Sequence, residues 1–275
     1  MLTRQVALVS ESNNVTFSDL TRASAALQKQ AIRDLAPIWE VQATVDAFAA
    51  LDDVPLGYWP IIIRDDIHVR AAGIHEDKDG QPFALVQADP GWSLTTSHEN
   101  LEMLVDPFGQ RLVAGQSPKE GQGRVEFLVE VCDPSEDASF GYTVNGITVS
   151  DFYTPNYFDP VDNAAVRYSF TGAIKQPRQV LRGGYLSWHD PASDHWHQEV
   201  FFGAAPEFRD LGPITAKSNE NFRTAIYAFT PEAFQTRRAE GEKLHSLTAA
   251  MNAVTDAANS KAASWRTQIS ALLSQ

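Results

Sequence analysis

Residues 97 to 107 read Ser-His-Glu-Asn-Leu-Glu-Met-Leu-Val-Asp-Pro and contain the pattern His98-Glu99-x-x-Glu102. On a helix, His98 and Glu102 are roughly 40° apart around the axis and about 6 Å apart along it, so both side chains can reach one cation. Glu99 places a second carboxylate beside them. Metalloproteases of the helical-motif type use two ligands at positions i and i+4 and a general base that takes a proton from water on the metal. The stretch therefore predicts a helix that carries a metal site.

The same stretch also has an interpretation without a metal. Thr96 and Glu99 fit a capping box, in which the Thr96 hydroxyl caps the helix and the Glu99 carboxylate accepts a hydrogen bond from the Thr96 amide. Glu102 would then be a solvated carboxylate. Apolar residues within 101–105 predict that one face of the helix packs on a core, with the metal-type pair at its border and Glu99 on the exposed side.

Composition restricts the class of protein. The chain of 275 residues has a net charge of −13, from 35 acidic and 22 basic residues, which disfavours nucleic acid and anionic membranes as partners and suits a cation. Cys132 is the only cysteine, so an intramolecular disulfide and a multi-cysteine zinc site are both excluded. There is no recognisable secretory signal and no apolar run of about 18 residues. These features predict a soluble cytoplasmic protein, with export by another route left open.

The chain before the motif alternates between strand and helix patterns. Apolar residues recur at helical spacing from Leu20 to Leu35, and Pro37 is expected to end that helix. Residues 75–82 are rich in turn formers and predict a turn. The predicted strands cover residues 6–9, 43–50, 58–64 and 83–87.

The chain after the motif changes character twice. Residues 125–131 predict a further strand, and the Asn-Gly pair at 145–146 predicts a β-hairpin turn. Residues 161–230 are rich in short strand patterns and turns. Over residues 231–275, apolar side chains recur at helical spacing, which predicts a long amphipathic helix. This helix would either dock on the core or form the seam of a homo-oligomer.

Two groups of residues resemble the motifs of microbial zincin-like proteins. Ser97 to Pro107 matches their SHExxE pattern followed by Asp-Pro, and Glu130 to Asp133 matches the later ExxD pattern beside a cysteine. The resemblance covers roughly residues 80–160 and implies a metallopeptidase-like scaffold. It also implies that the strand before the active-site helix, here residues 83–87, lies at the edge of the sheet, where it can pair with an extended substrate.

The expected fold class is therefore α+β. Residues 1–160 would form a zincin-like metallopeptidase domain, with a mixed sheet and an active-site helix. Residues 161–230 would form a β-rich extension, and residues 231–275 the long C-terminal helix.

The third metal ligand is left open between two carboxylates. Glu130 and Asp133 follow the motif helix closely enough in sequence to return to it, and either can complete the zinc site. The alternative is that Glu130 is a solvated strand residue and that Asp133 belongs to a turn. Asp106 lies about 12 Å along the helix axis from His98, so we expect it to hydrogen-bond a ligand rather than bind the metal.

Two further sets of side chains bear on the site. Tyr153 or Tyr157 is a candidate for the group opposite the general base, where zincins often have a tyrosine or histidine; packing is the alternative role. Three histidines near tryptophans are interpreted as surface-loop residues rather than metal ligands: His189, His195 and His197.

The leading functional hypothesis is a zinc-dependent metallopeptidase that acts on a peptide or protein substrate. One zinc ion would be held by His98, Glu102 and one later carboxylate. Glu99 would act as general base, with Tyr153 facing it. A second carboxylate ligand lowers the charge of the site, so slow turnover or a narrow substrate range is expected. The alternative is a non-catalytic structural or interaction protein on a zincin-derived scaffold, with the C-terminal helix as its assembly element.

Overall fold

The computed structural model describes residues 3–69, 71–214 and 221–230. The long helix predicted for residues 231–275, with its role in assembly, lies outside these ranges. Within them the chain forms two five-stranded sheets, a two-stranded hairpin and a few helices, so it is a mixed α+β protein. None of the helices in the described ranges has the length and hydropathy that a membrane crossing requires.

The first sheet combines four parallel strands with one antiparallel edge strand. Its members are β1 (Arg4–Ser10), β2 (Ala43–Ala47), β3 (Trp59–Arg64), β4 (Gly73–Lys78) and β5 (Gln81–Gln87). Their spatial order is β2-β1-β3-β5-β4, and only the β4–β5 pair is antiparallel. Val6 to Val9 in β1 are fully buried, as expected for a strand that is covered on both faces.

The segment predicted as a turn, residues 75–82, is instead most of a β-hairpin. Asp79 and Gly80 join β4 to β5 with φ angles of 53° and 79°, the left-handed conformation that a two-residue hairpin turn needs. The chain therefore turns back on itself and places β4 outside β5. The prediction that residues 83–87 form the edge strand is wrong, because β5 lies between β3 and β4.

A continuous helical segment packs beside the first sheet and passes the predicted stop at Pro37. Pro37 lies in the first turn of a short helix, where its missing N–H costs little. Just before it, Gln30 accepts a hydrogen bond from the Ser97 hydroxyl (2.8 Å) and donates one to the Ser150 carbonyl (3.0 Å). The segment comprises α1 (Phe17–Lys29), a π-helical turn (Gln30–Leu35) and α2 (Ala36–Trp39).

The second sheet is antiparallel throughout. Its order is β12-β11-β10-β7-β6, and a separate hairpin of β8 and β9 turns at residues 145–146, as predicted. Because β7 pairs with β10, this sheet joins strands from both sides of residue 160; the division into domains stays a prediction. The strands are β6 (Leu112–Gln116), β7 (Arg124–Leu128), β8 (Tyr142–Val144), β9 (Ile147–Val149), β10 (Tyr185–Asp190), β11 (His195–Val200) and β12 (Glu207–Gly212).

Candidate functional site

The predicted motif lies on helix α3 (Trp92–Val105), but the helix begins earlier than the capping-box interpretation requires. Gly91 is the N-cap, and the Thr96 hydroxyl donates to the Trp92 carbonyl at 2.7 Å from within the helix. The capping-box interpretation of Thr96 and Glu99 is therefore wrong. The prediction of an exposed face is wrong too, because every residue from Ser93 to Val105 is buried.

Helix α3 is buried all round because it packs between the first sheet and the β8–β9 hairpin. It contacts β3, β4 and β5 on one side and β9 on another. Gly73 in β4 makes this close approach possible: a Cβ there would lie 2.6 Å from Thr95 and 2.7 Å from Glu99 Oε1. The polar residues of the motif therefore face other protein groups and not solvent.

His98 lies beside two carboxylates. Its Nε2 atom is 3.2 Å from Glu102 Oε2 and 3.3 Å from Asp133 Oδ1, and all three side chains are buried. The other oxygen of Glu102 accepts a hydrogen bond from the Cys132 amide at 3.2 Å. Burial opposes ionisation of Glu102, but the positive charges of His98, Arg223 and His75 outweigh it and hold the pKa of Glu102 well below its usual range.

Asp133 lies in a 3-10 turn, Asp133–Ser135, as the alternative interpretation predicted. From this turn its side chain also reaches His98 in the buried site. Gly184, just before β10, packs directly against this turn. A Cβ at Gly184 would lie 2.5 Å from the Asp133 carbonyl oxygen and 2.7 Å from the Pro134 backbone. Only glycine allows this close approach. The backbone before β10 therefore fixes the position of the turn that carries Asp133.

Glu130 does not lie in a strand and is not solvated, which contradicts the alternative considered for it. It follows β7, is 6% exposed and pairs through Oε2 with the Arg223 Nε atom at 2.5 Å. Its Oε1 atom has no hydrogen-bond partner among the described residues. Burial raises the pKa of Glu130 well above its usual range, with Glu102 and Asp133 adding to the rise and Arg223 opposing it.

Arg223 was not predicted as part of the site. It comes from the short helix α4 (Phe222–Tyr227), and its Nη2 atom lies 3.0 Å from Glu99 Oε2 and 2.9 Å from Glu102 Oε2. Its Nη1 atom donates to the His75 carbonyl at 2.9 Å. No motif marks Arg223, which is 121 positions from Glu102 in the chain, so sequence spacing carries no signal for it.

His75 was also missed, because residues 75–82 were interpreted as a turn. It lies in β4 and is fully buried. Its Nε2 atom is 2.9 Å from the Asp106 carbonyl oxygen, and its Nδ1 atom is 3.5 Å from Glu99 Oε2 and 3.9 Å from Glu102 Oε2. The Asp106 carboxylate accepts a hydrogen bond from the Arg111 amide at 2.7 Å. Asp106 therefore contacts His75 through its backbone carbonyl and not through its side chain.

The two candidate tyrosines have different surroundings. Tyr153 is fully buried, and its hydroxyl has no hydrogen-bond partner among the described residues. Burial raises the pKa of Tyr153 well above its usual range, and the adjacent Tyr157, Glu130, Glu102 and Asp133 reinforce the effect. The Tyr157 hydroxyl instead donates to the Gln179 carbonyl at 3.2 Å, and its ring stacks on Tyr153 at 4.3 Å.

The three histidines of the second sheet lie in strands β10 and β11 rather than in a surface loop, which corrects their predicted position. His189 lies 3.2 Å from Glu126 and 3.0 Å from Asp194, and His195 lies 3.0 Å from Asp210. Within the described part of the chain, none of them belongs to a close group of three potential metal ligands.

The buried cluster around α3 divides into two groups that share Glu102. We call one the Arg223 group, which consists of Arg223, His75, Glu99 and Glu130. We call the other the His98 group, which consists of His98 and Asp133. Together the contacts place four carboxylates against one guanidinium, which leaves a formal charge of −3 when the carboxylates are ionised and the histidines neutral.

Such a charge cannot be buried cheaply without a further cation or a proton. The donor set of imidazole nitrogen and carboxylate oxygen suits zinc. The ligand atoms of His98, Asp133 and Glu136, and those of Glu102, Glu130 and Asp133, form groups that lie within 4.8 Å. The residues therefore fit a divalent cation. No protein-family model, curated protein or solved structure matches the chain.

Proposed function

We propose that the protein is a zinc-dependent hydrolase of peptide bonds, with one zinc ion bound by His98, Glu102 and Asp133. The observation that carries the proposal is the position of His98 Nε2, which is 3.2 Å and 3.3 Å from the two carboxylate oxygens inside a cluster with excess negative charge. Asp133 is preferred to Glu130 as third ligand because its Oδ1 atom lies 3.3 Å from His98 Nε2, whereas the Oε2 atom of Glu130 contacts the Arg223 Nε atom.

We further propose that residues of the first sheet and α3 form a zincin-like scaffold. The mixed sheet with one antiparallel edge strand, followed directly by the motif helix, supports this. The edge strand is β4 rather than β5, and an extended substrate could pair with it once α4 leaves the Gly73 and His75 carbonyls. Because α3 contacts both strands, a peptide on the β4 edge would lie close to Glu99.

A bound zinc ion would supply Lewis-acid polarisation and make water more acidic. Glu99 would take the proton of the attacking water, and the Tyr153 hydroxyl would donate a hydrogen bond to the oxygen on which negative charge develops. The Glu99 carboxylate is held by the Arg223 guanidinium at 3.0 Å, and this pair occupies the oxygen that would accept the proton. Activity therefore requires that Arg223 releases Glu99.

The Arg223–Glu99 pair also favours a second candidate function. A carboxylate that is held permanently by a guanidinium, with no exposed surface, is a structural group. On that hypothesis the protein is a non-catalytic structural or interaction protein on the same scaffold.

The first experiment measures metal content by elemental analysis of protein that was purified without chelator. Wild type should carry close to one equivalent of zinc, and His98→Ala should lose it. His195→Ala is the matched control, because His195 also pairs with a carboxylate but lies in the second sheet. Full zinc occupancy in folded His98→Ala protein would contradict the ligand assignment.

The second experiment separates the two functions through Glu99→Gln, which keeps the size of the side chain but removes the proton acceptor. Peptidase activity should fall by roughly 10²–10⁴-fold while zinc stays bound. A variant that cleaves as fast as wild type would rule out Glu99 as the base. Zinc-loaded wild type that cleaves nothing in a broad peptide library would support the non-catalytic function.

A further inference from the structure

Two nitrogen atoms, one from helix α4 and one from strand β4, face the same pair of carboxylate oxygens. The Arg223 Nη2 atom lies 3.0 Å from Glu99 Oε2 and 2.9 Å from Glu102 Oε2. The His75 Nδ1 atom lies 3.5 Å and 3.9 Å from these two oxygens. The ligand atoms of His75, Glu99 and Glu102 all lie within 4.8 Å of one another, which is a spacing that one metal ion can bridge.

His75 Nδ1 is an independent sign that a ligand belongs here. The side chain is fully buried, and Nδ1 has no hydrogen-bond partner among the described residues. Its other ring nitrogen is 2.9 Å from the Asp106 carbonyl oxygen. If Nε2 carries the proton and donates to that carbonyl, Nδ1 presents a lone pair to the two carboxylates. This is the tautomer and orientation in which a histidine binds a metal.

The guanidinium that now occupies these oxygens comes from the short helix α4, which is held by side-chain contacts and by a bond from the Arg223 amide to the Gly109 carbonyl at 3.3 Å. Within α4, Thr224 bonds to Glu76 at 3.1 Å, the Tyr227 hydroxyl is 3.4 Å from the Gly73 carbonyl oxygen, and Ile226 packs in a small apolar cluster. None of these contacts belongs to the strand pairing of either sheet. Movement of α4 would therefore break none of the hydrogen bonds that pair the strands.

We propose that His75, Glu99 and Glu102 form a second divalent-cation site, distinct from the zinc site at His98, and that Arg223 is the built-in competitor for it. The second ion would use the Glu99 Oε2 atom that Arg223 now contacts, so that ion and the guanidinium cannot bind together, whereas the zinc site at His98 does not use Glu99. This inference shares Glu102 with the proposed function, but its test does not require zinc at His98. With Arg223 withdrawn, four ionised carboxylates would match the charge of two divalent ions.

The experiment is a zinc titration by equilibrium dialysis of four proteins. Wild type should bind one equivalent, Arg223→Met two, and Arg223→Met/His75→Gln one. Arg223→Met/His195→Gln is the matched control and should bind two, because it removes a histidine from the second sheet. Repeating the series with Asp133→Asn removes the zinc site of the proposed function; every count should then fall by one while the difference caused by Arg223 remains.

If folded Arg223→Met gains no second equivalent, or keeps it without His75, the second site does not exist. Should Arg223→Met not fold, Ile226→Ala weakens the hold of α4 without touching any ligand. It should lower the zinc concentration needed for the second equivalent by about tenfold or more, while the buried control Val200→Ala leaves it unchanged. An equal concentration in Ile226→Ala and wild type would overturn the proposal.

Discussion

The Arg223 group and the His98 group solve the same electrostatic problem in different ways. Both bury carboxylates beside helix α3 and share Glu102. In the Arg223 group the compensating charge belongs to the chain, as a guanidinium that contacts Glu99, Glu102 and Glu130. In the His98 group the neighbouring base is an imidazole. It supplies a positive charge only when it takes up a proton, and as a neutral ring it can bind a metal cation instead. We therefore expect the charge balance of the His98 group to depend on pH and metal concentration, and that of the Arg223 group to be set when the chain folds.

Removal of the guanidinium should have the largest effect. Arg223→Met leaves three carboxylates of the cluster without their permanent cation, so the free energy of unfolding should fall by about 3–5 kcal/mol. Urea denaturation without divalent ions measures this. Arg111→Met, which removes an exposed arginine, is the control. A loss below about 1 kcal/mol would show that the Arg223 pairs contribute little.

Removal of zinc should have the next largest effect, and only through the His98 group. Zinc that binds the folded state at 100 times its Kd adds about 2.7 kcal/mol, so a chelator should lower the Tm of wild type. The Tm of Asp133→Asn should not respond to the chelator. A chelator-sensitive Asp133→Asn protein would place the metal elsewhere.

Two glycine substitutions should each disturb one of the two groups and leave the other intact. Each should lower the free energy of unfolding by about 1–3 kcal/mol. In Gly184→Ala the new methyl group meets the backbone of Asp133 and Pro134, so zinc affinity should fall. In Gly73→Ala it meets Thr95 and Glu99, so zinc affinity should be kept and the Glu99–Arg223 pair disturbed. Calorimetric zinc titration of both variants checks this, and equal losses of affinity would mean that the two groups are not separable.

Glu199 in β11 gives a reference for a partly buried carboxylate whose pKa is shifted by burial alone, and its effect should be the smallest. Burial raises its pKa to about 7 from 4.5, so the folded state holds the proton more tightly than the unfolded state. The contribution to stability is full below pH 4.5 and is lost as the pH rises through about 7. Between pH 5 and 8 wild type should lose roughly 1–2 kcal/mol relative to Glu199→Gln. Parallel urea midpoints of the two proteins over this range would contradict the assignment.

Local patterns predicted local features of this protein well. The spacing of His98 and Glu102 predicted that they meet, and the Asn-Gly pair at 145–146 predicted the β8–β9 hairpin. Both depend on residues close in sequence. The start of α3 was misplaced because Thr96 and Glu99 satisfy a capping pattern, whereas the helix is extended to Trp92 by the turn that ends β5.

Long-range features could not be predicted from spacing. Arg223 reaches the site through tertiary packing, 93 positions from Glu130 and 121 positions from Glu102 in the chain, and nothing local to Arg223 or His75 indicates that they belong there. The choice between Glu130 and Asp133 also required tertiary structure, because it depends on which of the two carboxylates lies beside His98 in the folded chain. The zincin-like scaffold, the metal and the catalytic roles remain proposals.

The side chains of α4 also cover part of a sheet edge. Strand β4 is a sheet edge, and its Gly73 and His75 carbonyl groups accept contacts from Tyr227 and Arg223. An open edge of this kind is a template on which another chain can add a strand, and so a starting point for aggregation. Any event that lifts α4 to free Glu99 would expose these carbonyls in the same step. The protein would then be most prone to self-association in the state in which its buried carboxylates are most accessible.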